Sequence, residues 1–282
     1  MDVKNHNMNK EKSIMRKRFR IIAFLAFFLG IVMAVSQYFE FVSKTVYEES
    51  VSHLTEVFHQ SNNMLGELTH KNLMYLHMWS EYLQDAPSES KIRDYIDKAQ
   101  KDAGFLYFYF LSADGNYKMT TGETGYLGLQ ENIEDEIQKG NDIITNAAVP
   151  GKSQMLVFAS PKAHGSYQGF KYDAIAIAYE NADIVNVLDI SAFNGKAKSY
   201  VLHPDGRVVI DHSLESWGNV YNFFGILREH TDISEKEILE ISKKFKEGHT
   251  GAMLLNLDGK DYYLVYEKSG IQDWIFLGLV QA

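Results

Sequence analysis

Six tyrosines, Tyr107, Tyr109, Tyr117, Tyr126, Tyr172 and Tyr179, fall in one stretch of the chain together with Met119, Phe158, Ser160, Asp173 and Glu180. Rings and a thioether supply apolar walls, while hydroxyls and carboxylates supply a few placed polar groups, which is the composition of a small-molecule pocket. A buried phenol needs a hydrogen-bond partner. Because these polar groups accept hydrogen bonds, and only Lys118, Lys162 and Lys171 lie near in sequence, the set suits a cationic or polyhydroxylated ligand better than an anion. Strand aromatics also build ordinary cores. The number of hydroxyls, beside Asp173 and Glu180 at the ends of one strand-like segment, favours binding.

Chemistry of other kinds finds no support. G-x-S-x-G and H-E-x-x-H do not occur, so no catalytic residue is expected and the chain as given reads as no enzyme. Gly151-Lys152-Ser153 mimics the end of a phosphate-binding loop, but Asn146 stands where its first glycine belongs, so it reads as a surface turn. Gly122, Gly125 and Gly128 lack dinucleotide-fingerprint spacing and read as a loop over a sheet. The ten histidines are scattered, and neither His53 with His59 nor His70 with His77 is spaced for one ion. Glu131, Glu134, Asp135 and Glu136 read as the solvated face of a helix. Neither a metal nor a cofactor is expected.

The elements that must position the candidate residues can be read from periodicity. From about Phe41 to Leu83 there is no proline, and Leu54, Phe58, Ser61, Leu65, Leu68, Asn72, Tyr75, Trp79 and Tyr82 draw one stripe along a helix of roughly 60 Å. Such a helix either runs past two modules or pairs with a partner helix, with Ser61 and Asn72 setting register in a homodimer. It should stop near Pro87, and a shorter helix should follow from Glu89 to Lys101. The order then becomes strand, strand, helix, strand, strand, strand. The first hairpin turns at Asp114-Gly115, and the helix ends at Gly140. A second round begins with SYVLH and RVVID around Pro204-Asp205-Gly206 and continues through a helix opened by a Ser234/Glu237 capping box. The expected class is α+β: an N-terminal transmembrane helix, a long stalk helix and two tandem antiparallel-sheet modules.

Charge distribution supplies the topology. The chain has 282 residues and a formal charge of -9, yet positions 1–20 hold Lys4, Lys10, Lys12, Arg16, Lys17, Arg18 and Arg20 against only Asp2 and Glu11. An acidic body argues against nucleic-acid binding. Ile21 to Phe39 carries no charge and reaches about 28 Å as a helix, the thickness of a bilayer core. The basic flank predicts a cytoplasmic N-terminus at 1–20, a span at 21–39 and an extracytoplasmic remainder from about residue 40. The small residues Ala34-Val35-Ser36 allow the alternative of a cleaved signal peptide. With no cysteine, no disulfide staples the fold.

YFYFLSADG, YDAIAIAYENADI, SYVLHPDGRVVID and YYLVYEKSGIQDWIFLGLV, together with the span and the long helix, resemble the double Cache extracytoplasmic sensor domains, which are PAS-like. The resemblance implies a signalling helix at 40–85, a membrane-distal module at 86–195 that binds a small molecule, and a membrane-proximal module at 196–282. It also implies a cytoplasmic output of histidine kinase, diguanylate cyclase or chemoreceptor type, absent from this chain, and a second span near Ala282. Amino-acid-binding members carry an Arg-x-Trp-Tyr element with a later acidic residue for the ammonium group; between Asn116 and Ala147 there is no Arg and no Trp. The competing expectation is an exported adhesin or scaffold with no ligand of its own.

Overall fold

The computed structural model describes residues 2–85, 88–129, 133–148, 154–187, 197–211 and 222–282. Pro87, Glu131, the Gly151-Lys152-Ser153 turn and the join between the modules lie outside the described residues. The chain divides into two compact units, Met1–His53 and Leu54–Ala282.

Helix α1, Asp2–Gln84, is continuous over 83 residues, and all four prolines lie beyond it. Within the first unit, Phe27, Phe28, Val32 and Val35 stand exposed. They belong to the one described helix long and apolar enough to cross a membrane, with a mean hydropathy of 1.2 and none of the window buried. Hydrocarbon suits that surface better than water.

In the second unit the α1 stripe is covered by the chain's own sheets. Leu54, Phe58, Ser61, Leu65, Asn72 and Trp79 are buried there. Trp79 meets Phe105 edge-on at 5.3 Å and Phe58 lies 6.3 Å from Phe276. Of the two expected roles, running past two modules is the one this stripe serves. Ser61 and Asn72, expected to set register with a partner helix, are engaged internally: Ser61 donates to the Val57 carbonyl at 3.3 Å, and Asn72 accepts from Tyr179 at 2.8 Å.

The first sheet contains β1 (Tyr107–Leu111), β2 (Asn116–Lys118), β3 (Thr124–Tyr126), β4 (Gly128–Leu129), β5 (Ile143–Ala148), β6 (Met155–Ser160) and β9 (Ala174–Glu180). Their order is β3-β2-β1-β9-β6-β5-β4, every pairing antiparallel. A separate ribbon pairs β7 (Gly165–Tyr167) with β8 (Phe170–Tyr172). Helices α2 (Glu89–Ala103), α3 (Glu134–Lys139) and α4 (Asn181–Val187) accompany it. The second sheet runs β11-β10-β14-β13-β12, from β10 (Ala197–Leu202), β11 (Val208–Asp211), β12 (Gly251–Leu257), β13 (Lys260–Lys268) and β14 (Ile275–Gln281), with α5 (Phe223–His230) and α6 (Glu235–Lys246). From the hairpin outward, β2-β1-β9-β6-β5 corresponds strand for strand to β11-β10-β14-β13-β12. The module recurs as the sequence predicts.

Local chemistry accounts for most boundaries. Gly115 and Gly206 hold φ of 85° and 86°, so both Asp-Gly turns use the left-handed conformation that glycine adopts freely. The expected capping box opens α6, Ser234 and Glu237 each satisfying the other's backbone N–H. Gly125 and Gly128, expected in a loop, lie instead in β3 and β4. Gly125 sits where a Cβ would fall 2.7 Å from the Tyr117 hydroxyl, so only glycine lets β3 pair there.

Between α1 and the second sheet, the Phe58 ring lies over Gly278 so closely that a Cβ there would fall 2.1 Å from it. Gly278→Ala should therefore lower unfolding stability by about 1–3 kcal/mol, the usual cost of overpacking, and Phe58→Leu in the same chain should recover part of it. Denaturant melts in which the single substitution costs nothing would disprove this packing.

Candidate functional site

Side chains alternate along a strand and partners directly opposite share a face, so the register sorts the candidates. On one face of the first sheet, Tyr107 stands opposite Ala178 and Tyr109 opposite Ala176. Ala178 stands opposite Val157, Ala176 opposite Ala159, and Glu180 opposite Met155. Tyr117 and Met119 join this face, and Leu127, Ile133 and Ile137 pack over it. On the other face, Phe158 is opposite Ile177, Ser160 opposite Ile175 and Tyr179 opposite Leu156; Phe158 and Tyr179 pack in the core with α1.

The structure thus divides the eleven candidates. Tyr107, Tyr109, Tyr117, Met119 and Glu180 share the face turned away from α1. Phe158, Ser160, Tyr172 and Tyr179 belong to the α1 side, where Tyr172 packs against Phe110 at 4.9 Å. Tyr179 donates to Asn72, and burial pushes its phenol up to about 12. Asp173 accepts from the Ala113 amide at 2.9 Å and so fastens the end of the first hairpin. Tyr126 lies on β3 and is mostly exposed. An open cleft of about 800 Å³ at this edge includes Asp114, Asn116, Tyr117, Glu134, Lys171 and Asp173. The Asp114 carboxylate is already engaged, since hydrogen bonds from the Ser112 hydroxyl and the Asn116 amide hold it below the usual carboxylate range.

What the residue-type argument misses is the floor between the tyrosines and Met155. Ala174, Ala176 and Ala178 present only methyl groups to this face, flanked by Ala159 and Ala147. Their neighbours on the same strand, Ile175, Ile177 and Tyr179, fill the opposite face. The signal was present in AIAIAY as an alternation of small and large residues, invisible to a search for polar groups.

No family model and no curated protein sequence matches the chain. Solved structures do match. The ligand-binding domain of the Pseudomonas aeruginosa amino-acid chemoreceptor PctB in complex with L-Arg superposes with a TM-score of 0.59 at 13% identity, covering 83% of this chain and 96% of that one. That of PctC from the same organism, in complex with GABA, gives 0.53 at 13% identity, covering 82% and 99%. The sensory domain of the Campylobacter jejuni chemoreceptor Tlp3 with isoleucine bound gives 0.52 at 10% identity, covering 85% and 95%. The chain has the Cache-type fold.

Within this Cache fold the two modules differ in what fills the equivalent face. β14 corresponds to β9, and Ile275, Leu277 and Leu279 take the places of Ala174, Ala176 and Ala178. Tyr266, opposite Leu277, stands where the first sheet has Ala159. Phe223, Ile238, Ile241 and Phe245 complete a packed core above them. In the second module large residues of the central strand fill the face; in the first, Tyr109 and Met155 reach over its alanines from the flanking strands.

The division of faces predicts that neighbouring residues behave differently. Tyr179→Phe should cost about 1–3 kcal/mol, because Asn72 keeps a buried acceptor without its donor, whereas Glu180→Gln should stay within about 0.5 kcal/mol as a partly exposed change. Equal losses in urea unfolding of the two variants would show the face assignment to be wrong.

Proposed function

We propose that this chain is the small-molecule-sensing portion of a transmembrane signal-transduction receptor. Residues 1–20 remain in the cytoplasm, 21–39 cross the bilayer, and the first module, 86–195, binds the ligand at the greater distance from the membrane. The second module, 196–282, relays, and α1 carries the signal toward a cytoplasmic output of kinase, cyclase or chemoreceptor type. The observation that carries this reading is the alanine floor of the first sheet, set against large residues at every equivalent position of the second. Structures with this fold have been solved with amino acids bound, L-Arg and GABA among them, which supports a solute-sized ligand. Glu180 on the face, with no Lys or Arg at its described strand positions, favours a cation. A homodimer through α1 would use the side opposite the buried stripe, where Met64, Met74 and Met78 are exposed.

A solute screen by thermal shift on the full chain in lipid nanodiscs should yield at least one stabilising ammonium compound, since a ligand of the native state alone raises its melting temperature. Glu180→Gln should weaken that compound roughly tenfold or more, and Ala176→Leu should abolish the shift by filling the floor. A shift that survives both and disappears on altering Tyr200 or Tyr266 would move the site to the second module.

Orientation has a separate check, because the chain contains no cysteine. Ser43→Cys should react with a membrane-impermeant maleimide on intact cells, and Ser13→Cys only after permeabilisation. The reverse pattern would invert the topology.

A further inference from the structure

The alanine floor is occupied in this structure by the protein itself. Tyr109 is 1% exposed, and its hydroxyl reaches the Met155 sulfur at 4.0 Å. β9 lies between β1 and β6, so a contact from Tyr109 on β1 to Met155 on β6 crosses the central alanine strand. A thioether is a weak acceptor, so this buried phenol donates far below its capacity. Burial, with Tyr117 and Tyr107 nearby, pushes its pKa well above the ordinary phenol value, so it remains a donor. Methionine is unbranched and adapts readily to a changed neighbour. In the second sheet the equivalent Tyr200 faces Leu277 instead of an alanine, so the hollow that Tyr109 spans has no counterpart there.

Accepting the sensing site proposed above, we infer that Tyr109 and Met155 are a removable cover, and that the ligand replacing them is an arylalkylamine: a ring-sized apolar body, a short alkyl linker and one ammonium group, with no carboxylate. The body takes the place of the Tyr109 ring over Ala176 and Ala178, where methyl groups offer a flat apolar surface. Glu180 is the next residue of the same face after Ala178, about 6.6 Å along the strand, within reach of an ammonium on a two-carbon linker. A carboxylate is refused because none of the described strand positions of this face is Lys or Arg, and burying an unpaired charge is costly. A polyamine is refused because Glu180 is the one carboxylate at the described strand positions of this face, so a second ammonium would be buried unpaired.

The test uses the full chain in nanodiscs and four probes: phenethylamine, tryptamine, phenylalanine and putrescine. Phenethylamine should bind, with phenylalanine and putrescine at least tenfold weaker. Met155→Ala removes part of the cover and should shift preference toward the larger tryptamine by about tenfold relative to phenethylamine, a gain that a damaged fold does not produce. An unchanged ratio in Met155→Ala overturns the cover. Binding of phenylalanine or putrescine as tight as phenethylamine, lost in Glu180→Gln, leaves the site standing and overturns the ligand class, as does failure of all four probes when another solute binds through Glu180. Aromatic-amine binding that persists in both Glu180→Gln and Ala176→Leu overturns the site itself, and this inference with it.

Discussion

The alternation of side chains along β9 is the constraint on which the first module depends. A strand at the centre of a sheet has two faces and no third choice, so each residue of Ala174–Glu180 commits to one side. Ile175, Ile177 and Tyr179 are used against α1. That leaves Ala174, Ala176, Ala178 and Glu180 for the other side, and their smallness there is tolerable only if something else fills the space. Tyr109, Met155 and the segment carrying Leu127 and Ile133 do so.

Helix α1 is bound by the same logic on a larger scale. Its buried positions serve two sheets in turn, and two of the polar ones, Asn62 and Asn72, are matched to a partner on each. Asn62 donates to Glu267 at 2.7 Å and to the Lys268 carbonyl at 3.1 Å in the second sheet; Asn72 accepts from Tyr179 in the first. His59 and His77 likewise meet Glu267 and Asp142 across 3.1 Å and 2.7 Å. Asn62 and Asn72, buried inside an otherwise apolar contact, fix one register, because a slide of the helix would leave them unpaired.

Much of this was legible in the sequence, for reasons particular to each element. The α1 stripe follows from spacing of three and four, the two hairpins from Asp-Gly turns, and α6 from its capping box. The unbroken α1, the apolar run at its exposed end and the tandem modules all follow from pattern. The short strands β3, β4, β7 and β8 and the helix α5 were not anticipated, because two or three residues hold too little periodicity and glycine reads as a loop. The candidate site was half legible. Residue type groups Tyr107, Tyr109, Tyr117, Met119 and Glu180, which share one face, with Phe158, Ser160, Tyr172 and Tyr179, which take the other, since type alone does not say which face of a sheet a residue takes. The alanines were missed because their contribution is the volume they do not occupy.

The interleaving of the two faces separates two kinds of substitution. In β9 the even-numbered positions meet the floor and the odd-numbered positions meet α1. A substitution at 176 or 178 therefore changes the shape of one face while Ile175, Ile177 and Tyr179 keep their packing against α1 on the other. In the second module, where Ile275, Leu277 and Leu279 fill the equivalent face, a substitution on either side of the strand disturbs a packed core.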